Sequence, residues 1–532
     1  MLTEFPRTGM QVQYPIFKPM PFRPVGGMVR FEPGDSIPPE ASPDMMNCAV
    51  YEGNLRRRPG YVQFPAGAPS IGGPVLGLYS TQDNTGATHL IATWAEGVVK
   101  WAGGEWTPLT GPALTGSEQE PFVFAQSQEA IVFSQGRDPV MIHDLVPSNL
   151  TYGALNASFC PPARFLERWA SRLFIGHTIE GGKTLPFRIR RPIANDHTNW
   201  TGTGSGFTEV DSEPHQLRGL KKLGSQLVLY TENGIWVATQ QVISAAPYTI
   251  DQKVPGVGVL CERTLVEIPG LGHGFVGNGD VFLYPGGSAV QGLAMPIRDR
   301  IFQTISPSFL RQSFGTVIED LKEAVFFIPT AGELTADTPW AFNYNRNIWY
   351  PWKVSGVLCS ALHRLDDTVT IDQLQGTIDE QVWIFDARAL QAAFPAHITG
   401  HTDGKIYKWG PYSSDNGAAI PCRWTSKDFT SSDVDPSKPV SNITLRQLDI
   451  TYEDTGTSPV LRFYFSEDGG STWDGPFPVT LQSKGGVGIQ DTTLSHQTTA
   501  SSIRFKFEHE SIQTTFSIRN FTPVFEMREQ LF

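Results

Sequence analysis

A chain of 532 residues with a mass of 58.6 kDa is several times the typical domain of roughly 100 to 150 residues, which excludes a small stapled mini-protein. With 52 glycines, 41 prolines and only 18% charged residues, against about 25% in an average protein, turns are plentiful and long solvated helices scarce, so the composition predicts an all-β protein. The net charge of −12 sets the bulk surface against nucleic acid and anionic membrane, leaving room only for local or indirect DNA contact.

The chain opens MLTEFPRTGMQVQYPIFKP, with Glu4 and several prolines where a secretory signal needs an apolar stretch. No apolar run approaches the roughly 20 residues that cross a bilayer. Cys48, Cys160, Cys261, Cys359 and Cys422 are odd in number and never closer than 63 positions, which fits neither a disulfide framework nor a zinc knuckle. The expectation is a soluble protein with reduced, buried thiols, made in a reducing compartment, with no cofactor and no membrane partner.

Residues 1–46 hold nine prolines and no periodicity, and read as an extended Pro-rich arm. Phe5, Tyr14, Phe17, Phe22 and Phe31 give it apolar surface to lay over its own domain. From 47 to 430 short apolar runs alternate with turns. Glu96-Gly97, Asn233-Gly234, Asn278-Gly279 and Asp403-Gly404 each precede alternating aromatic and aliphatic residues, the signature of a β-hairpin. These glycines fall 137, 45 and 125 positions apart, near multiples of a unit of about 45 residues, so the region predicts a β-propeller of about seven blades. A helix is expected only at 296–306, between Pro296 and Pro307. After TSSDVDPSKP at 430–439, clean alternation such as SSIRFKFEHE predicts a β-sandwich over 431–532.

Several motifs have a bland structural reading. GHTIEGGKT at 176–184 misses the P-loop spacing by one residue and runs on as strand, so it reads as a hairpin loop. His397 and His401 could share a strand face, but without a further ligand beside them they read as a structural pair. Ser466-Glu467-Asp468-Gly469-Gly470-Ser471-Thr472-Trp473 matches an Asp-box, in which Asp468 bonds the turn's amides, Gly470 permits the reversal, and Trp473 packs beneath. Arg56, Arg57 and Arg58, with Arg188, Arg190 and Arg191, form two basic clusters that predict contacts with a neighbouring subunit, or with carboxylates of the same fold, rather than with DNA. No catalytic residue stands out, and no enzyme is expected.

The stretch at 42–64 carries Asn47, Gly53, Arg56, Arg58, Pro59 and Gly60 in the pattern N-x(4)-EG-x-LRRRPGY. With FRIRRPIANDHTNW at 187–200, the run from 234 to 268, and NYNRNIWYPW, it resembles tail nozzle or tail stabilisation proteins of short-tailed bacteriophages. That resemblance implies a structural virion protein: a propeller, hexameric beneath the adaptor and portal rings, meeting tail fibres or tip proteins, and passing genomic DNA through its lumen without specific binding. The alternative, from the Asp-box and the propeller pattern, is a glycan-binding or sialidase-like tail protein acting on host surface polysaccharide.

Overall fold

The computed structural model describes residues 16–102, 104–156, 158–210, 215–241, 247–330, 335–364, 395–437, 441–486 and 488–527. It is almost entirely β-strand, as the turn-rich composition requires. Residues 1–57, 421–510 and 514–532 form one compact unit, and residues 58–420 with 511–513 form a second. The division therefore differs from the expected one at 46 and 430, because strands from both ends of the chain pair with each other. The first fifteen residues of the expected arm, with Phe5 and Tyr14, lie outside the described residues.

In the smaller unit, Cys48–Tyr51, Asn54–Arg57, Ser517–Met527, Ile443–Glu453 and Ile489–Ala500 pair in that order, and Ile16–Pro19 lies beside Ser517–Met527. A second sheet runs Met45–Met46, Cys422–Thr425, Ser502–His509, Val460–Ser466 and Asp474–Thr480, with Phe429–Thr430 beside Ser502–His509. The alternation in SSIRFKFEHE sends Ile503, Phe505 and Phe507 inward, where they are buried. Rings from the two sheets meet: Phe521 lies 5.5 Å from Trp424, 5.5 Å from Phe505 and 5.9 Å from Phe507. Each such ring, fully buried, contributes about 1.5–3 kcal/mol. The arm joins this core through Phe22, whose backbone pairs with Phe521 and whose ring stacks on Trp424 at 6.1 Å.

The Asp-box forms the hairpin between Val460–Ser466 and Asp474–Thr480. Ser466 Oγ donates to Asp468 Oδ1 at 2.8 Å and accepts from the Gly470 amide at 2.8 Å. Asp468 accepts from the Thr472 amide at 2.9 Å and the Thr472 hydroxyl at 2.7 Å, and these bonds hold its carboxyl at a pKa of about 2. Trp473, expected beneath the turn, is half-buried and takes Lys506 Nζ over its ring at 4.6 Å. Its removal therefore forfeits less than a core ring would. Ser466 is 2% exposed, so Ser466→Ala is expected to destabilise the smaller unit by about 1–2 kcal/mol through the lost bonds. Urea unfolding followed by proteolytic resistance of residues 441–527 would check it; unchanged resistance would show that the turn does not hold the hairpin.

Among the described residues, the larger unit carries seven sheets in chain order, antiparallel save for the parallel pairing of Asp415 with Tyr61 in the seventh, beginning with the strands Gly77–Gln82, Val123–Gln126, Ala163–Trp169, Leu217–Leu223, Val266–Ile268, Phe314–Ile318 and Val357–Arg364. The first strands of neighbouring sheets touch, the fourth reaching the fifth through the short turn Glu262–Thr264 that leads into it. Val357–Arg364 in turn touches Gly77–Gln82. The seventh sheet is completed from the other end of the unit, where Gly60–Gln63 pairs with Ile406–Gly410. Arg58, 1% exposed, leads into that seam strand and grips Asp415 with both Nη atoms, at 3.0 and 2.5 Å, while Nη2 also donates to the Lys353 carbonyl at 2.8 Å.

The expected helix at 296–306 is shorter than read. A 3-10 turn over Met295–Ile297 leads into an α-helix of five residues, Arg298–Phe302. The GHTIEGGKT segment is a hairpin turned at Gly181 and Gly182, both at positive φ. The same holds at Glu52-Gly53, with φ of 51° and 84° between paired strands, the geometry of a tight two-residue turn.

Candidate functional site

The second unit offers a recess of about 270 Å³ where the ends of its third and fourth sheets meet. Strand Ala163–Trp169 turns back into Arg172–Glu180 through Ala170 and Ser171, at φ of 48° and 59°. This tight reversal brings Trp169 and Arg172 to the rim together. From the next sheet, Gly234–Gln240 and Tyr248–Pro255 contribute Gln240 and Tyr248, and the flanking Gln241 and Pro247, bonded backbone to backbone, join them. Asn195, itself at positive φ, is tied to the turn by its amide donating to the Ser171 carbonyl at 2.8 Å.

The floor is aromatic. Phe174 lies 5.5 Å from Trp169 and 5.6 Å from Tyr248, and Trp169 lies 6.1 Å from Tyr248. The rings are fixed by their polar atoms: Trp169 Nε1 donates to the Ser225 carbonyl at 2.8 Å, and the Tyr248 hydroxyl accepts from Arg191 Nη1 at 2.6 Å. Burial raises the Tyr248 pKa, partly offset by a hydrogen bond from Thr208 and by Arg191. Arg172 is held by the Pro192 and Gly204 carbonyls at 3.1 and 3.0 Å. Gln240 is exposed at the rim, and Gln241 Nε2 donates to Thr249 Oγ1 at 3.2 Å. The rings themselves are almost closed off, with Phe174 0%, Trp169 4% and Tyr248 9% exposed, so what the recess offers a ligand is mainly polar: Asn195, Gln240 and Gln241, with Arg172 beside them.

A second cavity of about 280 Å³ is lined from the first strands of six of the seven sheets and, before the fifth, from the Glu262–Thr264 turn and Leu265. Glu167, Lys221, Glu262 and Arg263 bring charge of both signs to it. Burial raises the Glu167 pKa, opposed by Lys221. Arg263 is committed within the fold, with Nη2 donating to the Leu358 carbonyl at 2.6 Å and its guanidinium over the Phe314 ring at 5.2 Å.

The residues singled out in the sequence lie elsewhere, each engaged within the chain. Asn47 sits at φ 56° with Nδ2 donating to the Pro421 carbonyl at 2.7 Å. Arg56 pairs with Glu453 at 2.7 Å, and Arg57 is buried. Arg188 meets Glu209 at 2.7 Å and Glu180 at 3.1 Å, Arg190 meets the same Glu180 at 3.0 Å, and Arg191 holds Tyr248. Arg191 alone among them supports the aromatic recess. His397 and His401 bond Thr316 and Thr399 at 2.9 and 3.0 Å, and burial lowers each pKa to about 4. Trp169, Gln240 and Tyr248 were not singled out in the sequence. The Ala170-Ser171 turn carries neither glycine nor asparagine, so no local signal marked it.

No protein-family model matches the chain, and no curated protein matches it in sequence. Among solved structures it is similar to the extracellular domain of a hybrid two-component system from B. thetaiotaomicron, at 12% identity and a TM-score of 0.35, covering 76% of this chain and 45% of that one. The chain thus spans less than half of that domain's length. YCF48 from Cyanidioschyzon merolae is similar at 10% identity and a TM-score of 0.36, covering 66% of this chain and 99% of that one. An exo-β-1,3-galactanase from Phanerochaete chrysosporium, solved with galactose, is similar at 10% identity and a TM-score of 0.23, covering 87% of this chain and all of that one. None of these three is a bacteriophage tail protein. The expected tail-nozzle function is corrected on that finding, together with the virion, tail-tube and genome-delivery roles that came with it.

Proposed function

We propose that this chain is a saccharide-binding protein that acts without turnover, built as a seven-bladed β-propeller with a companion β-sandwich. The propeller reading is supported by the succession of seven sheets whose first strands touch in order, the fourth meeting the fifth through the Glu262–Thr264 turn and the seventh touching the first. A seam strand from the unit's opposite end, Gly60–Gln63, fits the way a propeller joins its ends without leaving a long exposed edge. The sandwich reading is supported by the two sheets whose aromatic rings share one core.

The observation that carries the binding reading is the recess floored by Trp169, Phe174 and Tyr248 and rimmed by Asn195, Gln240 and Gln241. A saccharide's hydroxyls would meet the amides of the rim, above rings that are almost wholly buried. Hydrogen bonding of this kind recognises a ligand, whereas glycoside cleavage works through a pair of carboxyl groups flanking the bond. A glycan array probed with the full chain, followed by calorimetry on the best-binding saccharide, tests this. Gln240→Ala and Gln241→Ala are each expected to weaken binding about fivefold, the worth of one hydrogen bond near 1 kcal/mol. Binding to no glycan, or variants that bind as the parent does, would overturn the reading, and hydrolysis of the bound glycan would overturn its non-catalytic part.

A further inference from the structure

The five cysteines are all buried and unbridged, but two of them stand apart from the rest by geometry. Cys48 Sγ lies 2.9 Å from Cys422 Sγ. That is closer than either carbonyl near Cys48, Arg423 O at 3.2 Å and Met46 O at 3.5 Å. It is also within about 1 Å of the covalent S–S length of roughly 2.0 Å. By contrast, Cys261 and Cys359 point their thiols at the carbonyls of Ser313 and Val75, both at 3.2 Å.

The backbone explains why these two sulfurs meet. Met45 and Met46 pair with Trp424 and Arg423 in one sheet of the smaller unit. The chain then leaves that sheet at Asn47, whose φ of 56° and bond to the Pro421 carbonyl fix the crossing. Cys48 follows at once as the first residue of Cys48–Tyr51 in the other sheet, while Cys422 opens Cys422–Thr425 in the sheet just left. Each sulfur is thus anchored by a paired strand, with Cys48 0% and Cys422 2% exposed.

We propose that Cys48 and Cys422 form a disulfide that ties the two sheets of the smaller unit together when the chain folds in an oxidising thiol environment. The oxidant is a small-molecule disulfide such as oxidised glutathione. One cysteine, having lost its proton, attacks that disulfide, breaks its S–S bond and releases one thiol. The second cysteine, also deprotonated, attacks the mixed disulfide on the protein sulfur and releases the other. One S–S bond breaks and one forms, two electrons pass to the glutathione sulfurs, and the two protons leave with them. Burial keeps the Cys48 thiol protonated in the folded chain, so the exchange belongs to folding, and the finished bond is shielded from reductant.

The test is to refold the full chain from denaturant in a glutathione redox buffer, and in parallel with a phosphine reductant, then alkylate in denaturant and map the peptides by mass spectrometry without reduction. The expected oxidised product is alkylated at Cys160, Cys261 and Cys359, with one linked peptide pair carrying Cys48 and Cys422, and it melts at a higher temperature than the reduced form. In Cys422→Ser the same treatment should leave Cys48 alkylated. Alkylation of all five cysteines after oxidative refolding would overturn the proposal, as would a link between any other pair. Should the serine variant fail to fold, the map of the parent chain decides by itself.

Discussion

Replacing Arg58 with alanine is expected to destabilise the larger unit by about 3–5 kcal/mol, because it strands a buried carboxylate. The guanidinium is 1% exposed and the Asp415 side chain 14%, so neither charge is offset by water. The pair also holds the seam: Arg58 precedes Gly60–Gln63, and Asp415 pairs with Tyr61 on the far side of that strand. Arg58→Lys keeps the charge but cannot reproduce the two-pronged grip on Asp415 with the third bond to Lys353, so it should fall between the parent and the alanine variant. Equilibrium unfolding in guanidinium, with hydrogen exchange in 60–63 and 406–410 as a local reporter, would measure both. An alanine variant within about 1 kcal/mol of the parent, with exchange unchanged at the seam, would show that this pair does not hold the ends together.

Glu323→Gln is expected to act in the opposite direction. Glu323 is 0% exposed in the sixth sheet, and the Tyr350 hydroxyl donates to its Oε1. Burial pushes its pKa up to about 8, above the roughly 4.3 of an unfolded chain. For a group whose folded pKa is raised, its contribution to stability is fully present below about pH 4.3 and is lost as the pH rises to about 8. At pH 7 the folded chain keeps a proton that the unfolded chain releases, at a cost of about 3–4 kcal/mol. Glutamine retains the acceptor for Tyr350 and carries no such proton. The variant should therefore be more stable than the parent by about 3 kcal/mol at pH 7, with the two converging near pH 4. A stability difference that does not change between pH 4 and 8 would contradict the protonated state.

Much of the fold is legible where geometry is local. Glu52-Gly53 and Gly181-Gly182 sit at positive φ in two-residue turns, and the alternation of Ile503, Phe505 and Phe507 reports which face is buried. Gly97 and Gly234 mark hairpins correctly for a different reason from the one the Glu-Gly and Asn-Gly pairs suggest. Their bends fall one step earlier, at Ala95-Glu96 and Glu232-Asn233; Gly97 pairs with Trp94 across its turn, and Gly234 directly precedes the closing pair of Tyr230 and Ile235. A Cβ at Gly97 would collide with the Trp94 ring, so that glycine is required by packing rather than by φ. Non-local pairing was not legible. Gly60–Gln63 is four residues long and its partner, Ile406–Gly410, lies far along the chain, so no periodicity in either segment announces the other. The recess was hidden for the same reason: Trp169, Asn195 and Tyr248 come from separate strands and loops, and each reads alone as ordinary core or turn. The arginine clusters were visible, but their partners Glu180, Glu209, Glu453 and Asp415 became apparent only once the strands were paired.

The most direct test of saccharide recognition is a crystal structure of the full chain grown with the best-binding oligosaccharide from the array. The ligand is predicted to lie in the recess between the Trp169–Arg172 turn, Asn195 and Gln240, with a hydroxyl within hydrogen-bond distance of the Gln240 or Gln241 amide. An oligosaccharide seated elsewhere on the chain, with this recess empty, would contradict the account.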